Sequence, residues 1–368
     1  MKVCVTGATG FVGAHVARAL AERGDEVRIA YRNPDKLDAL KGVDFRRAKA
    51  DVLDFKSLRR AVRGSEVLFH TAGYVGSSPA ERVWRLNAQG PVVAVEAAAA
   101  EGLKRVVVTS TISAIGPANG RPADERNEYP EDWMNLAYPD SKHEGEIGAI
   151  EAGERHGIDV VVVNPSYVLG VPVNREQKGE NSTRTVGNYL RGRLPAVIDA
   201  PMNFVDVEDV AQGHLLAAEK GKPGERYILG AQNLTWPALV DCVAELSGVH
   251  YPVLVLPREV TYLARVREAL GIPGIMSIEG YELMGQEWTF SSRKAERQLG
   301  YRPRTIDETL HATIEWYREL IEGGAFDDAP PSGLSRFANV TRAAASVGLF
   351  EPVKVGQRVS GRRVVAGL

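Results

Sequence analysis

The sequence contains few cysteines, no long apolar run and no excess of charge of one sign. Cys4 and Cys242 are its only cysteines in 368 residues, too few for a disulfide framework or a cysteine-based zinc site. We therefore expect two buried free thiols and a protein located in the reducing cytoplasm. No uninterrupted apolar stretch approaches the ~20 residues of a membrane-spanning helix. The first residues read as a strand of the fold rather than as a signal peptide.

The charge balance argues against a nucleic-acid partner. Lys and Arg number 45 against 47 Asp and Glu, a formal net charge of -2, so no basic field attracts phosphates. Hydrophobic residues make up 44% and charged residues 25%, as in ordinary soluble enzymes. We expect no metal site. The length allows a large α/β core with a smaller second part.

Apolar strand-like runs alternate with helical patterns through the first half of the chain. Several runs, such as Val160 to Val163, are apolar at consecutive positions, as in strands buried on both faces. This alternation predicts a doubly wound parallel α/β sheet. The predicted strands are Lys2–Thr6, Glu26–Tyr31, Val43–Arg46, Val67–His70, Arg105–Thr109 and Asp159–Asn164. The predicted helices between them are Val12–Glu22, Ser57–Val62, Ala80–Ala100 and Tyr138–His156.

A glycine-rich turn, TGATGFVG, follows the first strand and opens the first helix. Gly7 tolerates any φ, Gly10 lets the main chain approach a pyrophosphate, and Gly13 lets the helix pack against the sheet. The amino end of the helix then favours the phosphate anion. The turn therefore predicts a dinucleotide site, a Rossmann fold. Its predicted binding residues are Gly7, Thr9, Gly10, Phe11, Val12 and Gly13.

The end of the second strand predicts which dinucleotide is bound. NAD-binding folds place an acid near this point, whereas this chain has Arg32 and Lys36, which suit a 2′-phosphate. We predict NADP, with NAD as the alternative if Asp35 points at the ribose instead. Farther along, Asp51 and Val52 suit the adenine. The segment Thr71, Ala72 and Gly73 has small residues that let the cofactor cross the edge of the sheet.

Tyr138 and Lys142 stand four residues apart on one predicted helix, so they share a face. We expect the Lys142 cation to lower the pKa of Tyr138 from about 10 toward neutrality, which makes the phenol a usable acid or base. A hydroxyl from the run Thr109 to Ser113 would hold the substrate oxygen. Asn87 either supports the local backbone or is an ordinary helix residue. His70 reads as a packed strand residue rather than a base.

The second half of the sequence has shorter strands, more Gly and Pro, and separated helices. We predict a dinucleotide-binding core over 1–170, with elements returning to it from about 200–230. Residues 171–325 form mainly the substrate-binding part, and 326–368 a C-terminal extension. Helices are predicted at Asp206–Glu219, Thr235–Leu246, Ile306–Ile321 and near Ser335–Val347, with a strand at Arg226–Leu229. The basic tail after Pro352 is either solvated or docks on a partner subunit.

The ordered set TGATGFVG, HTAG, VVVTSTISAIG, YPDSK and NPSYVLG resembles the extended short-chain dehydrogenase/reductase superfamily over about the first 215 residues. Within it the chain most resembles a group with hopanoid-associated sugar epimerases, dihydroflavonol reductases and cinnamoyl-CoA reductases. The stretches that begin at Gly192, Asn203 and Gly224 are similar to the hopanoid-associated epimerases in particular. The resemblance implies that Tyr138 is the catalytic acid/base and that Lys142 adjusts its pKa and binds the ribose. It implies that the Thr111 hydroxyl holds the substrate, with Ser113 as the alternative.

The same resemblance implies that Pro165, Ser166 and Val168 approach the nicotinamide carboxamide. It implies a homodimer built on the two long helices, and it does not cover the C-terminal extension. Nucleotide-sugar epimerases commonly have Arg where this chain has Asn164, which favours the reductases. Arg193 and Arg293 either bind a sugar diphosphate or are surface charges.

Three functions follow from these observations. The first is an NADPH-dependent reductase of a small-molecule carbonyl compound, in which Tyr138 supplies the proton and Thr111 orients the oxygen. The second is a nucleotide-sugar epimerase or dehydratase that retains its cofactor. The third is a sensor that binds the dinucleotide without chemistry, against which the complete set of Tyr138, Lys142 and Thr111 argues. Tyr74, Tyr167, Val171 and Met202 are candidates for lining a partly apolar pocket, or for the core.

Overall fold

Consecutive apolar runs form the inner strands of a seven-stranded parallel sheet in the computed structural model of the chain. The structure describes residues 1–132, 134–178, 182–259, 278–326, 340, 343–344, 350–360 and 363–367. Leu68, Val107 and Val161 are 0% exposed because helices cover both faces of the sheet. The doubly wound parallel fold predicted from the sequence is therefore confirmed.

The sheet has the strand order β10-β6-β5-β4-β1-β2-β3, in which the order reverses beside β1. Ligands bind such sheets at the carboxyl ends of the strands, at the point of reversal. That point lies between β1 and β4, where Thr6 pairs with His70. The strands are β1 Lys2–Thr6, β2 Glu26–Tyr31, β3 Arg46–Lys49, β4 Val67–His70, β5 Arg105–Thr109, β6 Asp159–Pro165 and β10 Arg226–Leu229.

The third strand was predicted at Val43–Arg46, and this prediction is wrong by three residues. The strand is Arg46–Lys49, which pairs with β2 on one side only and is largely exposed. Val43 and Phe45 precede it and pack partly against the core from a loop. An edge strand does not need an apolar run, so the apolar residues that suggested a strand lie in the loop just before it.

Helices cover the sheet on both faces. The helices α1 and α7 contact each other on one face, and α2, α4 and α5 pack on the other. The predicted helix Ala80–Ala100 is interrupted by a π turn at Arg85–Gln89. The helices are α1 Phe11–Glu22, α2 Phe55–Val62, α3 Ala80–Trp84, α4 Gly90–Ala100, α5 Ala137–His156, α6 Arg184–Leu190, α7 Val207–Lys220, α8 Trp236–Ser247, α9 Ile278–Met284, α10 Arg293–Leu299, α11 Ile306–Glu322 and α12 Glu351–Ser360.

The second half of the chain adds two small sheets and an aromatic core. The sheet β11-β9-β7 and the sheet β13-β12-β8 have three strands each. Trp236, Trp288 and Trp316 are buried in one cluster with Tyr189 and Tyr317. Thr235 caps α8, as predicted from the sequence. The strands are β7 Tyr167–Leu169, β8 Ala196–Ile198, β9 Pro201–Asp206, β11 Gln232–Thr235, β12 Val253–Leu256 and β13 Val365–Ala366.

The end of the tail folds back onto its own chain rather than into solvent. Residues Val365–Ala366 form β13 against β12, with both side chains buried. The Gly367 amide donates to Asp241 Oδ1 at 2.7 Å, and Arg363 forms an ion pair with the same carboxylate. The predicted solvated tail is therefore wrong for Val365–Ala366, and docking on a partner subunit stays a prediction. The helix predicted near Ser335–Val347 lies largely outside the described residues.

Within the part of the chain that the structure describes, no helix is long and apolar enough to span a membrane. The same residues contain no group of three or more His, Cys, Asp or Glu side chains placed to hold a metal ion.

Candidate active site

The glycine turn lies at the carboxyl end of β1 and is shaped by close main-chain contacts. Gly7 has φ +69°, and a Cβ there would lie 2.4 Å from the Ala72 nitrogen. A Cβ on Gly13 would lie 2.4 Å from the Gly7 carbonyl oxygen. Gly10 is exposed at the amino end of α1, and its position there has no side-chain cap. The turn therefore forms a cradle for an anion, as in dinucleotide folds.

The other predicted residues of this turn surround the cradle. Thr9, Phe11 and Val12 are half-buried. The Phe11 ring meets the His15 ring edge-on at 5.6 Å between centroids. His15 is buried, and burial lowers its pKa to about 4. The histidine is therefore neutral near pH 7 and adds no charge to the cradle.

The end of β4 borders the cradle, with Thr71 and Ala72 half-buried and Gly73 exposed. The Thr71 hydroxyl donates to the Thr6 carbonyl at 2.6 Å, which ties β4 to β1. His70 is buried, and its Nδ1 lies 3.0 Å from Thr6 Oγ1. Burial, followed by the Lys142 charge, lowers its pKa to about 3. The neutral, packed His70 agrees with the strand role predicted for it.

At the end of β2, Arg32 is 64% exposed and lies 3.8 Å from the Asp51 carboxylate. Lys36 is also exposed, on a 3₁₀ helix, Pro34–Leu40, that Asn33 caps through the Asp35 amide. Asp51 accepts from the Leu53 amide and is half-buried, as is Val52. The structure therefore brings Arg32 and Asp51 together at one edge, with Lys36 nearby in the chain.

The reactive side chains meet at the carboxyl end of β5. Tyr138, in the first turn of α5, lies near the side chain of Thr111, whose hydroxyl counteracts part of the rise in the Tyr138 pKa. Thr111 caps a 3₁₀ turn, Ile112–Ala114, and its Oγ1 lies 3.3 Å from Ser113 Oγ. Of the two hydroxyls considered from the sequence, Thr111 is the one that affects the pKa of the phenol. Ser113 is buried.

The expected effect of Lys142 on Tyr138 does not appear in the structure. Burial raises the pKa of the Tyr138 phenol above its ordinary value, and the hydrogen bond from Thr111 opposes this rise. The prediction of a pKa lowered toward neutrality by Lys142 is therefore wrong for the protein alone. Burial disfavours the charged phenolate, so Tyr138 keeps its proton at neutral pH.

Lys142 is buried, with Nζ donating to the Thr109 carbonyl at 2.8 Å. A Cβ on Gly73 would lie 3.2 Å from this Nζ, so the ammonium lies against the open end of β4. Burial lowers the pKa of Lys142 to about 8, and the charge of Glu146 opposes that change. Lys142 is thus a cation held at the edge where a ribose would cross the sheet.

Asn87 lies in the π turn and supports the backbone beside Lys142. Its Oδ1 accepts from the Tyr74 amide at 2.8 Å, and its Nδ2 donates to the Tyr74 carbonyl and to Ser141 Oγ. A Cβ on Gly145 would lie 2.0 Å from the Asn87 carbonyl oxygen, so α5 packs tightly on the turn. π turns inside helices recur at functional sites. The backbone-supporting role was one of the two considered from the sequence.

The segment after β6 presents buried polar atoms without partners. Ser166 Oγ and Ser110 Oγ are buried and have no hydrogen-bond partner among the described residues. Pro165 is buried beside Ser166, and Val168 is half-buried in β7. Buried hydroxyls normally find partners. These atoms, with the glycine cradle, fit an amide and a dinucleotide lying along this edge.

Sequence reasoning missed Asp140, which lies between Tyr138 and Lys142. Its buried carboxylate accepts from the Tyr129 hydroxyl at 2.5 Å and from the Met134 and Leu136 amides at 3.1 and 3.0 Å. It therefore ties the segment before α5 to the helix. The signal in the sequence that could have identified Asp140 was an acidic residue in the first turn of a helix, at a position on the buried side of that helix.

Some of the residues predicted to line the pocket or to bind a sugar diphosphate lie on the surface, and others lie in the core. Arg293 is exposed and Arg193 half-buried. Met202 is buried in the aromatic core, and Tyr167 and Val171 pack against it. Tyr74 borders the site, with the Arg82 guanidinium 4.5 Å from its ring centroid. Of these candidates, only Tyr74 lies beside Asn87 and Gly73 at the reactive edge.

Residues 3–230 match the sequence model of a family described as the NAD dependent epimerase/dehydratase family. The matched range contains the glycine turn, Thr111, Tyr138 and Lys142. It therefore covers every residue placed at the reactive edge above.

Curated relatives include reductases. A protein named putative dihydroflavonol 4-reductase from Synechocystis is 32% identical, over 85% of this chain and 94% of its own length. Cinnamoyl-CoA reductase 1 from Arabidopsis thaliana is 33% identical, over 68% of this chain and 76% of its own. Among solved structures, a nucleoside-diphosphate-sugar epimerase from Pseudomonas aeruginosa has a TM-score of 0.72 at 25% identity, covering 87% of this chain and 98% of its own.

Proposed function

The chain belongs to the NAD-dependent epimerase/dehydratase family, and from this premise we propose that it is an NADPH-dependent reductase of a small-molecule carbonyl compound. Enzymes of this family depend on a nicotinamide cofactor. The reductase relatives, both above 30% identity, favour carbonyl reduction over the other reactions of the family.

The convergence of Tyr138, in the first turn of α5, and Thr111, at the carboxyl end of β5, is the observation that carries this proposal. Reduction of a carbonyl develops negative charge on oxygen, so it needs a proton donor and an orienting hydroxyl at one point. Tyr138 is protonated at neutral pH because burial raises its pKa. In this role the phenol gives its proton to the substrate oxygen while Thr111 orients that oxygen.

The residues around Tyr138 and Thr111 are suited to the phenolate that remains after Tyr138 has donated its proton. Bound NADPH would supply the hydride. Lys142 lies on the same helix and carries a positive charge that stabilises a phenolate across one helical turn. Its ammonium lies against Gly73, where it can bind the ribose. Ser166 and Ser110 offer hydroxyls for the carboxamide.

The preference for NADP rests on the end of β2. Arg32 is mostly exposed, and its distance of 3.8 Å from Asp51 leaves the guanidinium within reach of a 2′-phosphate. Lys36 adds a second cation nearby. The test is Arg32→Ser, with Arg47→Ser of the neighbouring strand as control. A large fall in the ratio of NADPH to NADH affinity is expected for Arg32→Ser alone, and an unchanged ratio would contradict the preference.

A nucleotide-sugar epimerase or dehydratase is the second candidate, favoured by the family description and by the epimerase structure. Asn164 supports the reductase instead. Its Nδ2 donates inward to Glu146 and to the Thr111 carbonyl, so it is not directed at a ligand phosphate. A sensor without chemistry would need neither Tyr138 nor Thr111.

The deciding experiment identifies any nucleotide released when the purified protein is denatured, together with NADPH and NADH titrations. The proposal expects little retained nucleotide and much tighter binding of NADPH. Aldehydes and ketones are then screened, and Tyr138→Phe should lower kcat by 10²–10⁴-fold with unchanged NADPH affinity. Oxidised cofactor that resists dialysis would favour the epimerase, and full activity of Tyr138→Phe would reject the catalytic assignment.

We also propose a cytoplasmic homodimer whose interface is built on α4 and α5. Ile147 of α5 is 40% exposed, which supports an apolar contact on this face. Ile147→Glu should convert a dimer to a monomer in light scattering. The division into 1–170, 171–325 and 326–368 is likewise a proposal, which limited proteolysis can test.

A further inference from the structure

A buried carboxylate lies one helical turn beyond Lys142. The Glu146 side chain is 3% exposed, and the mechanism above gives it no role. Its Oε2 accepts from Asn164 Nδ2 at 2.8 Å, and its Oε1 accepts from Arg226 Nη1 at 3.2 Å. A buried charge is costly unless it is paired and hydrogen-bonded. Both oxygens of Glu146 meet this condition.

Asn164 connects this carboxylate to the catalytic segment. The same Nδ2 donates to the Thr111 carbonyl at 3.0 Å. Asn164 lies in β6, where its backbone pairs with Ile228. Glu146 therefore fixes the Asn164 amide, which in turn holds the main chain of Thr111 near Tyr138.

Glu146 also acts electrostatically on Lys142. The two residues are four apart on α5 and share a face. Burial disfavours the Lys142 ammonium, and the Glu146 charge opposes this effect. Of the other groups facing Lys142, His70 is neutral because burial lowers its pKa to about 3, and Tyr138 is neutral because burial raises its pKa. On the far side of Glu146, Arg226 pairs with its carboxylate at 3.2 Å.

We propose that Glu146 is a positioning residue of the active site, which holds Thr111 through Asn164 and keeps Lys142 protonated. Its catalytic consequence rests on the proposed function. The protonation state of Lys142 does not, and it can be measured without a substrate.

The first test is a pH titration of the Lys142 side chain by NMR, in protein labelled with [¹³C]lysine. The resonance is assigned by its absence from Lys142→Met. In Glu146→Gln the titration midpoint of Lys142 should fall by about one pH unit, because the stabilising charge is gone. Glu144→Gln, an exposed carboxylate on the same helix, is the matched control and should leave the midpoint unchanged. An unchanged midpoint in Glu146→Gln would overturn the proposal.

Two further variants separate this role from simple support of the fold. Glu146→Asp keeps the charge and should restore most of the wild-type midpoint. Arg226→Gln removes the cation beyond the carboxylate, so the Lys142 midpoint should move upward, opposite to Glu146→Gln. Thermal unfolding identifies any variant that fails to fold. Downward shifts in all three variants would indicate general disruption and contradict the proposal.

Activity gives the second readout once a substrate is known. Lys142 loses its charge as pH rises, so activity should fall on the alkaline side. Glu146→Gln should move that fall to lower pH and reduce kcat more than it raises KM. An unmoved alkaline limb would overturn the catalytic part. If no carbonyl substrate is found, the proposed function fails, while the NMR midpoints still decide the role of Glu146.

Discussion

A Cβ on Gly13 would lie 2.3 Å from Thr71 Oγ1. The Thr71 hydroxyl cannot swing away cheaply, because it donates to the Thr6 carbonyl at 2.6 Å. The amino end of α1 is thereby held against the end of β4. This contact fixes the height of the glycine turn above the sheet, and with it the position of the cofactor phosphates.

Gly13→Ala should destabilise the protein even without cofactor. The new methyl would overlap both Thr71 and the Gly7 carbonyl, and overpacking of this kind costs about 1–3 kcal/mol. Gly10→Ala is the milder comparison, since its Cβ would meet the Gly7 carbonyl oxygen at 3.3 Å rather than overlap it. We expect it to lower the melting temperature less than Gly13→Ala and to lose NADPH affinity. Equal melting temperatures for Gly13→Ala and wild type would refute this reading of the contact.

Thr111→Val should lower kcat by about 10–100-fold, because it keeps the shape of the side chain and removes the hydroxyl that orients the substrate oxygen. Ser113→Ala should have a smaller effect, since Ser113 is bonded to Thr111 and not to Tyr138. Steady-state kinetics on the substrate found by screening measures both. A larger loss for Ser113→Ala would transfer the orienting role to Ser113.

Asp140→Ala should loosen the segment that precedes α5. The change leaves the Met134 and Leu136 amides and the Tyr129 hydroxyl without their acceptor, at a cost of about 2–4 kcal/mol. Tyr129→Phe removes one of these bonds and should cost about 1 kcal/mol. Urea unfolding and protease cleavage near Met134 measure the two effects. Similar losses for both variants would show that the amide contacts contribute nothing.

The stability of the protein should decrease in mild acid. Burial lowers the folded-state pKa of His15 and His214 to about 4 and that of His70 to about 3. In the unfolded chain histidines bind protons below about pH 6.5. The stabilising contribution of the neutral imidazoles is therefore complete above pH 6.5 and is lost as pH falls toward 4. Each extra proton on the unfolded state changes the slope by about 1.4 kcal/mol per pH unit.

The carboxyl of Asp206 has the opposite effect on stability in acid, because burial raises its pKa to about 6. It takes up its proton earlier in the folded state, which stabilises the fold between pH 6 and 4. Burial also raises the pKa values of Glu125 and Asp209, which act in the same direction as Asp206. Hydrogen bonds hold the pKa values of other carboxyls low, such as those of Glu66 and Glu101, and these add to the histidines' loss in acid, so a net loss is expected. His70→Asn should make the pH dependence shallower, and the exposed His156→Asn should leave it unchanged. Denaturant unfolding at several pH values checks this, and an identical slope for His70→Asn would disprove it.

Asp241→Ala should detach the end of the C-terminal tail. Its carboxylate accepts from the Gly367 amide and pairs with Arg363, so both contacts disappear together. Hydrogen exchange at Val365 and Ala366 should rise, and stability should fall by about 1–3 kcal/mol. Glu245→Ala, exposed one turn along α8, serves as the comparison. Unchanged exchange in Asp241→Ala would mean that the strand pairing alone holds the tail.

The sheet was predictable because its inner strands are covered on both faces and therefore apolar at every position, as in Val160 to Val163. The apolar pattern did not predict the edge strand Arg46–Lys49, because this strand is exposed and pairs with a neighbour on one side only. The pattern did not predict the C-terminal strand Val365–Ala366 for another reason. Two residues make no pattern, and their partner β12 lies more than a hundred positions earlier.

The candidate site was predictable where spacing along one helix fixes geometry, as for Tyr138 and Lys142. Their electrostatics were not, because the helical spacing does not report that burial raises the pKa of Tyr138. The contact between Asn164 and Glu146 was missed because it joins β6 to α5 across the fold. The four-residue spacing of Lys142 and Glu146 was the available signal.

The strand β13 has a consequence for how the protein is made. Its residues, Val365–Ala366, complete the small sheet from the far end of the chain, beside β12 and β8. Strands β1 to β6 can leave the ribosome and begin to pair much earlier, since domains fold from the amino end during synthesis. The sheet that β13 closes must wait until translation has passed Ala366. The small sheet therefore completes its pairing after the seven-stranded sheet has begun to form.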